Sequence, residues 1–156
     1  IARLHSVIDN AKLPEASDWL RSEIDETFDF DTPAEIMQAL SESGTPWATE
    51  TLAILHKRSP LMLHVSLRQI RQGRHMSLAD ELRLERTLVQ HCFYTHHLGR
   101  TGVETETVEG IRALAVDKDH SPVWNPARIE DVTQAMVDPF FESPWGMYDH
   151  PLKDLV

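Results

Sequence analysis

The sequence predicts a mainly α-helical protein, a short-loop assembly of helices. Three observations carry that expectation. Apolar residues recur at helical spacing in successive segments. These segments alternate with short polar connections. Only six glycines occur in 156 residues, too few for the many tight turns of a sheet protein.

The elements follow in chain order. Pro33 stands behind Asp31-Thr32, a good N-cap pair, and the helix it starts runs to Gly44 with Ile36, Ala39 and Leu40 as its apolar stripe. Trp47 to Lys57 forms a second helix, with Leu52, Ile54 and Leu55 inward, ending ahead of Pro60. Pro60 to Gly73 carries two patterns: Leu61, Leu63, Val65 and Leu67 alternate as in a strand, whereas Leu63, Leu67 and Ile70 form a helical stripe. Its length and its Arg and Gln content favour helix. Ser77 to His97 is the clearest element, opened by a capping box with Asp80 in place of Glu, and with Leu78, Leu82, Val89, Cys92 and Phe93 on one face. Thr107 to Val116 gives a short helix with Ile111, Leu114 and Ala115 apolar. Pro126 to Met136 and Val137 to Phe141 read as a final helical pair, and 143–156 as an extended, Pro-rich tail.

Composition narrows the functional classes. The length fits one helical region over 1–156, and 41% apolar residues suffice for a core. No run of eighteen apolar residues exists to span a membrane. The first residues, IARLHSVIDN, show no initiator Met and no signal-peptide pattern, as expected for the interior of a longer gene product. A single cysteine, Cys92, excludes an internal disulfide and a Cys-only zinc site. The formal charge of −10, from 25 acids against 15 bases, argues against a nucleic-acid partner. An anionic ligand needs a local basic patch, and Arg68, Arg71, Arg74 and His75 supply the one dense cluster.

Other candidate chemistry is weaker. Asp117 and Asp119 follow an apolar helix and precede a proline, so a charged helix end and turn is favoured over a metal site. Cys92 and His96 are four apart, but Cys92 belongs to an apolar stripe beside Phe93, where a packed thiol is the usual occupant. Glu85 falls between Leu82 and Val89 and is expected to face inward, paired with Arg112 or Arg68.

Several motifs in one order carry a resemblance. Glu109-Gly110-Ile111-Arg112-Ala113, Val116-Asp117-Lys118-Asp119 and Pro122-x-Trp124-x-Pro126 are similar to the C-terminal signature of the 3-hydroxyisobutyryl-CoA hydrolases, in the crotonase (enoyl-CoA hydratase/isomerase) superfamily. Ser59-Pro60, Ser66-Leu67-Arg68-Gln69, Ser77-Leu78-x-x-Glu81-Leu82, Glu85, Thr32-Pro33-x-Glu35-Ile36 and Trp47-Ala48 fit the same family, so the resemblance covers about Phe28 to Val132. Three places depart from the pattern. Glu106 and Thr107 stand where an Asp-Phe pair is usual, Leu98 to Thr105 resembles a small insertion, and Leu61 and Met62 replace small hydroxyl residues.

The resemblance implies that this chain is the C-terminal helical region of a crotonase-like protein, without its ββα-spiral core. That core, in the front half, supplies the oxyanion-hole amides and the acids that activate water. No residue here matches those positions, so the expected catalytic set is none and the expected metal set is none. The implied activity is hydrolysis of a branched 3-hydroxyacyl-CoA in valine breakdown, with acyl-CoA as substrate, no cofactor, and no activity from this chain alone. Arg68, Arg71 and Lys118 are expected to contact CoA phosphates. Expected partners are the missing N-terminal core, acyl-CoA and a second copy joined through exposed apolar surface, with neither nucleic acid nor membrane. The implied location is the bacterial cytoplasm or the mitochondrial matrix. Two other readings stand beside this one: part of an enoyl-CoA hydratase/isomerase, and a non-catalytic paralogue acting as a protein-binding module.

Overall fold

Five helices begin in the same way. Thr32, Thr45, Ser59, Ser77 and Thr105 each place a side-chain oxygen on the backbone N–H three residues ahead. Pro33, Pro46 and Pro60 follow three of them directly. A helix start leaves N–H groups without intrahelical partners; the hydroxyl satisfies one, and proline has none to satisfy. At Thr32 the box is complete, because Glu35 accepts from the Thr32 N–H at 2.9 Å.

The computed structural model describes residues 18–146 and 149–155. Its helices are α1 (Asp18–Phe28), α2 (Pro33–Ser43), α3 (Pro46–Leu55), α4 (Pro60–Gly73), α5 (Leu78–Phe93), α6 (Glu106–Ile111) and α7 (Gln134–Val137). Tight turns lie at His96–Leu98, Gly102–Glu104, Ile129–Asp131 and Asp138–Phe141, and a widened turn at Arg112–Val116 continues α6. The described residues contain no strand, in agreement with the mainly α expectation. None of their helices is long and apolar enough to cross a membrane.

Two apolar clusters share α4. Leu61 and Val65 of α4 meet Leu88 of α5 with Val137 and Phe140, all 5% exposed or less. Ile36 and Leu40 of α2 meet Ala48 of α3, with Phe28, Trp47 and Leu67 packed around them. Leu67 belongs to α4, so that helix ties the two halves together. α5 also holds the chain's end. Arg83 donates to the carbonyls of Leu152 (3.0 Å), Lys153 and Leu155. Residues 149–155, within the segment read as an extended tail, fold back in turns.

Several expectations need correction. α1 is an addition to the predicted set. Pro60–Gly73 is a helix, but its buried residues are Leu61 and Val65, and Ile70 is 64% exposed. Ile54 also points outward. α5 stops at Phe93, four residues before His97, because Tyr94 leaves helical geometry and the Thr95 hydroxyl turns to the Arg100 carbonyl. The stripe Leu78, Leu82, Val89, Phe93 is real but faces solvent, and Glu85 is exposed with it. The buried face of α5 is Thr87 and Leu88. Pro126 to Met136 is not one helix: it holds only the turn Ile129–Asp131 and the start of α7 at Gln134, while Arg128, Val132 and Thr133 are extended, a geometry that the β-branched Val132 and Thr133 favour.

Phe140→Ala is expected to lower the unfolding free energy by about 3–5 kcal/mol. Leu78→Ala on the outer face should change it by less than about 0.5 kcal/mol. Urea unfolding of the two variants checks which face of α5 is buried in this chain.

Candidate functional site

The signature stretch builds its geometry from α6. Thr105 caps the helix, and the first turn points the Glu106 carboxylate into the protein, leaving that residue 6% exposed. Glu106 accepts from the Ser59 hydroxyl at the start of α4 and from the Asn125 N–H at 3.0 Å. Arg100 stands 3.5 Å away and donates to the Asn125 carbonyl. One turn on, Glu109 binds Arg112 through both oxygens, 2.8 Å each, and accepts the Val123 N–H at 2.6 Å. Carboxylates three apart on a helix project from one side. They therefore hold alternate N–H groups of an extended run, 121–125, that passes along α6.

Arg112 gathers the rest of the charge. Its guanidinium reaches Asp117 at 2.6 Å, Asp119 at 2.8 Å and the Ser121 carbonyl at 3.2 Å. The widened turn makes this reach feasible: Asp117 N–H bonds to the Arg112 carbonyl at 2.8 Å, five residues back. Lys118 and His120 take left-handed backbone angles, φ 56° and 54°, to fold the acids inward. Trp124 then seats its indole N–H on the Lys57 carbonyl at 3.2 Å, ahead of a cis Asn125–Pro126 bond. Hydrogen bonding from Arg112, then from the Val123 N–H, depresses the Glu109 carboxyl from 4.5 to about 2. Asp119 is lowered mainly by Arg112. Asp117 and Asp119 thus form a charged helix end. Glu106, Glu109, Asp117 and Asp119 all accept N–H or O–H groups, which leaves none poised to take a proton from a substrate.

The predicted cations occupy two places. Arg68 and Arg71, both on α4, line one cleft of about 400 Å3 with His64, Gln72 and His75. Arg68 pairs with Asp138 at 2.6 Å and lies 4.1 Å over the Phe141 ring. Arg71 clasps the Asp31 carboxylate at 3.2 Å and the Phe30 carbonyl. Lys118 is exposed on the signature turn and does not line that cleft. Glu85 meets neither Arg112 nor Arg68, which are taken by the acids just named.

The thiol and imidazoles form no catalytic pair. Burial pushes the Cys92 thiol up, and His96 is exposed and stacked on Tyr94. His91 donates to the Glu142 carbonyl at 2.8 Å and His97 to the Met136 carbonyl at 3.0 Å, which fastens the 136–142 segment to the end of α5. Burial lowers the His97 pKa. Sequence reasoning missed Glu106 and Arg100. The available signal was Glu106 itself, at a place where the resemblance expects an acid.

The sequence profile of the enoyl-CoA hydratase/isomerase family matches residues 2–141. The chain belongs to this family. A mitochondrial 3-hydroxyisobutyryl-CoA hydrolase of Gallus gallus is 39% identical over 126 residues, covering 81% of this chain and 30% of the relative. A probable 3-hydroxyisobutyryl-CoA hydrolase 2 of Arabidopsis thaliana is 40% identical over 123 residues, covering 76% and 31%. This enoyl-CoA hydratase/isomerase family chain therefore spans about a third of the length of these relatives. A crystal structure of a carnitinyl-CoA dehydratase from Mycobacterium thermoresistibile superposes with TM-score 0.68 and 33% identity, over 88% of this chain and 38% of that one.

Removing Glu106 leaves Arg100, Ser59 and the Asn125 N–H without their acceptor. Glu106→Ala is expected to cost on the order of 3 kcal/mol, measured by denaturant unfolding, with Glu106→Gln milder. For Glu109 the folded pKa is depressed, so its contribution is full above the unfolded value near 4.5 and fades as pH falls toward 2. The stability gap between wild type and Glu109→Gln should hold steady above about pH 5 and close between about pH 4.5 and 2. Urea midpoints at constant ionic strength read the gap.

Proposed function

We propose that the chain is the helical C-terminal part of an acyl-CoA thioester hydrolase of the 3-hydroxyisobutyryl-CoA type. The observation that supports this most is the pair of relatives bearing that name at 39% and 40% identity. The geometry agrees with a supporting role. Among the described residues the acids of the signature are engaged in hydrogen bonds, and the outer face of α5 lies open. Catalytic groups would come from the part of such a polypeptide outside the matched segment. The helical part would complete the acyl-CoA site and pack on that core. The substrate would be acyl-CoA, with no separate cofactor. The location would be the mitochondrial matrix, in keeping with the word mitochondrial in the Gallus gallus relative's name, or the bacterial cytoplasm. A second reading, hydration or dehydration of an acyl-CoA, is favoured by the structural neighbour's description as a dehydratase.

Among the three cations proposed for CoA phosphates, Lys118 is the strongest. It has no ion pair among the described residues, whereas Arg68 and Arg71 are held by Asp138 and Asp31. In the complete enzyme, Lys118→Glu is expected to raise KM for the CoA ester about two- to fivefold at constant kcat, the size of one exposed charge contact. An unchanged KM would remove Lys118 from the site.

Purified 1–156 should release no CoA thiol from 3-hydroxyisobutyryl-CoA above the uncatalysed rate. Measurable hydrolysis would place catalytic groups in this chain and overturn the division of labour proposed here. Turnover of an enoyl-CoA but not the hydroxyacyl ester by the complete enzyme would select the second reading.

A further inference from the structure

α5 presents an acid in the middle of an apolar stripe. Leu78, Leu82, Glu85, Val89 and Phe93 are all exposed; Leu78 is 76% and Phe93 43% open to solvent. At 100° per residue these positions fall within about 80° of one another. Thr87 and Leu88, which enter the core, lie about 160° and about 100° from the middle of the stripe. Two large apolar side chains flank Glu85 on each side along the helix, and Glu85 has no hydrogen-bond or ion-pair partner among the described residues.

We propose that this face docks onto an apolar protein surface that carries a lysine or arginine opposite Glu85, borne by the remaining part of a larger polypeptide. The proposal rests on the reading that this chain is one part of such a protein, and names the chemistry of the surface it meets. Covering four apolar side chains is favourable, but covering a lone carboxylate with them is costly unless it meets a cation or donors. A second copy fails that condition. The stripe is nearly symmetric about Glu85, so a twofold pairing, parallel or antiparallel, sets Glu85 beside Glu85. Like charges at that range oppose assembly, and −10 on each copy adds longer-range repulsion. The relatives offer ample chain to supply the occupant, since the matched segment is 30% of the Gallus gallus protein.

The chain can be given its own cationic partner. Glu85→Lys places a cation in an otherwise identical stripe, so the probe is the E85K copy mixed with wild type. Sedimentation equilibrium at neutral pH and about 0.15 M salt compares wild type alone, E85K alone, E85Q alone and the equimolar mixture. The mixture is expected to associate at least about tenfold more tightly than wild type or E85K alone, with E85Q tighter than wild type. Net charge predicts a different order. The exchange adds two charges, taking each copy from −10 to −8, so net charge would favour E85K with itself. Glu85 is exposed, and unchanged circular dichroism confirms that each variant is folded. Wild type that self-associates as tightly as the mixture would make a second copy the occupant. No association in any sample would remove the face as a docking surface. Either result overturns the proposal, and neither involves a CoA ester, so the hydrolase reading stands or falls separately.

Discussion

The Glu106 carboxylate sits where three stretches of chain meet: the start of α4, the loop carrying Arg100, and the extended run leading to Pro126. Each brings a donor to it, and the Ser59 hydroxyl is buried with the carboxylate. Ser59 has a double task. Its oxygen accepts the Met62 N–H that opens α4, and its hydroxyl proton goes to Glu106. A hydroxyl with one proton and two lone pairs can do both only in one orientation. The direction of the α4 cap is thus fixed from α6. Because α4 joins both apolar clusters, that small constraint sets where the rest of the packing lies.

Acid excess shapes the molecule more than any pocket does. The chain gathers carboxylates by giving them backbone N–H groups as well as cations, at Val123, Asn125 and Ser121. Arg112, with three carboxylates around it, is held firmly in its charged form by their hydrogen bonds. Such saturation suits a scaffold and is poorly suited to proton transfer, which needs a group with room to change state. The signature is thus a structural device, and the apolar stripe of α5 is exposed away from it.

The legible part of the fold was local. Hydroxyl caps and prolines announce helix starts because orphan N–H groups must be satisfied wherever a helix begins, whatever packs on it. Thr32, Pro60 and Ser77 marked three boundaries closely. The direction of burial was less legible. Leu78, Leu82, Val89 and Phe93 form a true apolar stripe, and periodicity says that such a stripe wants cover without saying what covers it. Glu85 was read as inward for that reason. Pro126 to Met136 failed differently: the run just ahead of it, 121–125, is held alongside α6 by Glu106 and Glu109, a long-range effect that no window of neighbouring residues contains. Glu106 was visible only as a departure from a pattern, although its charge is retained. A longer carboxylate at the same place still reaches Ser59 and Asn125.

Gly110 passes so close to Trp124 that a Cβ there would lie 3.4 Å from the indole ring. The indole in turn touches the Lys57 carbonyl just past the end of α3. Substitutions at these positions are therefore not independent. A methyl at 110 would rest against the ring in ordinary contact, and the room for anything larger there depends on the size of the side chain at 124. Two residues, fourteen positions apart, thereby share one volume, and what one can become depends on the other.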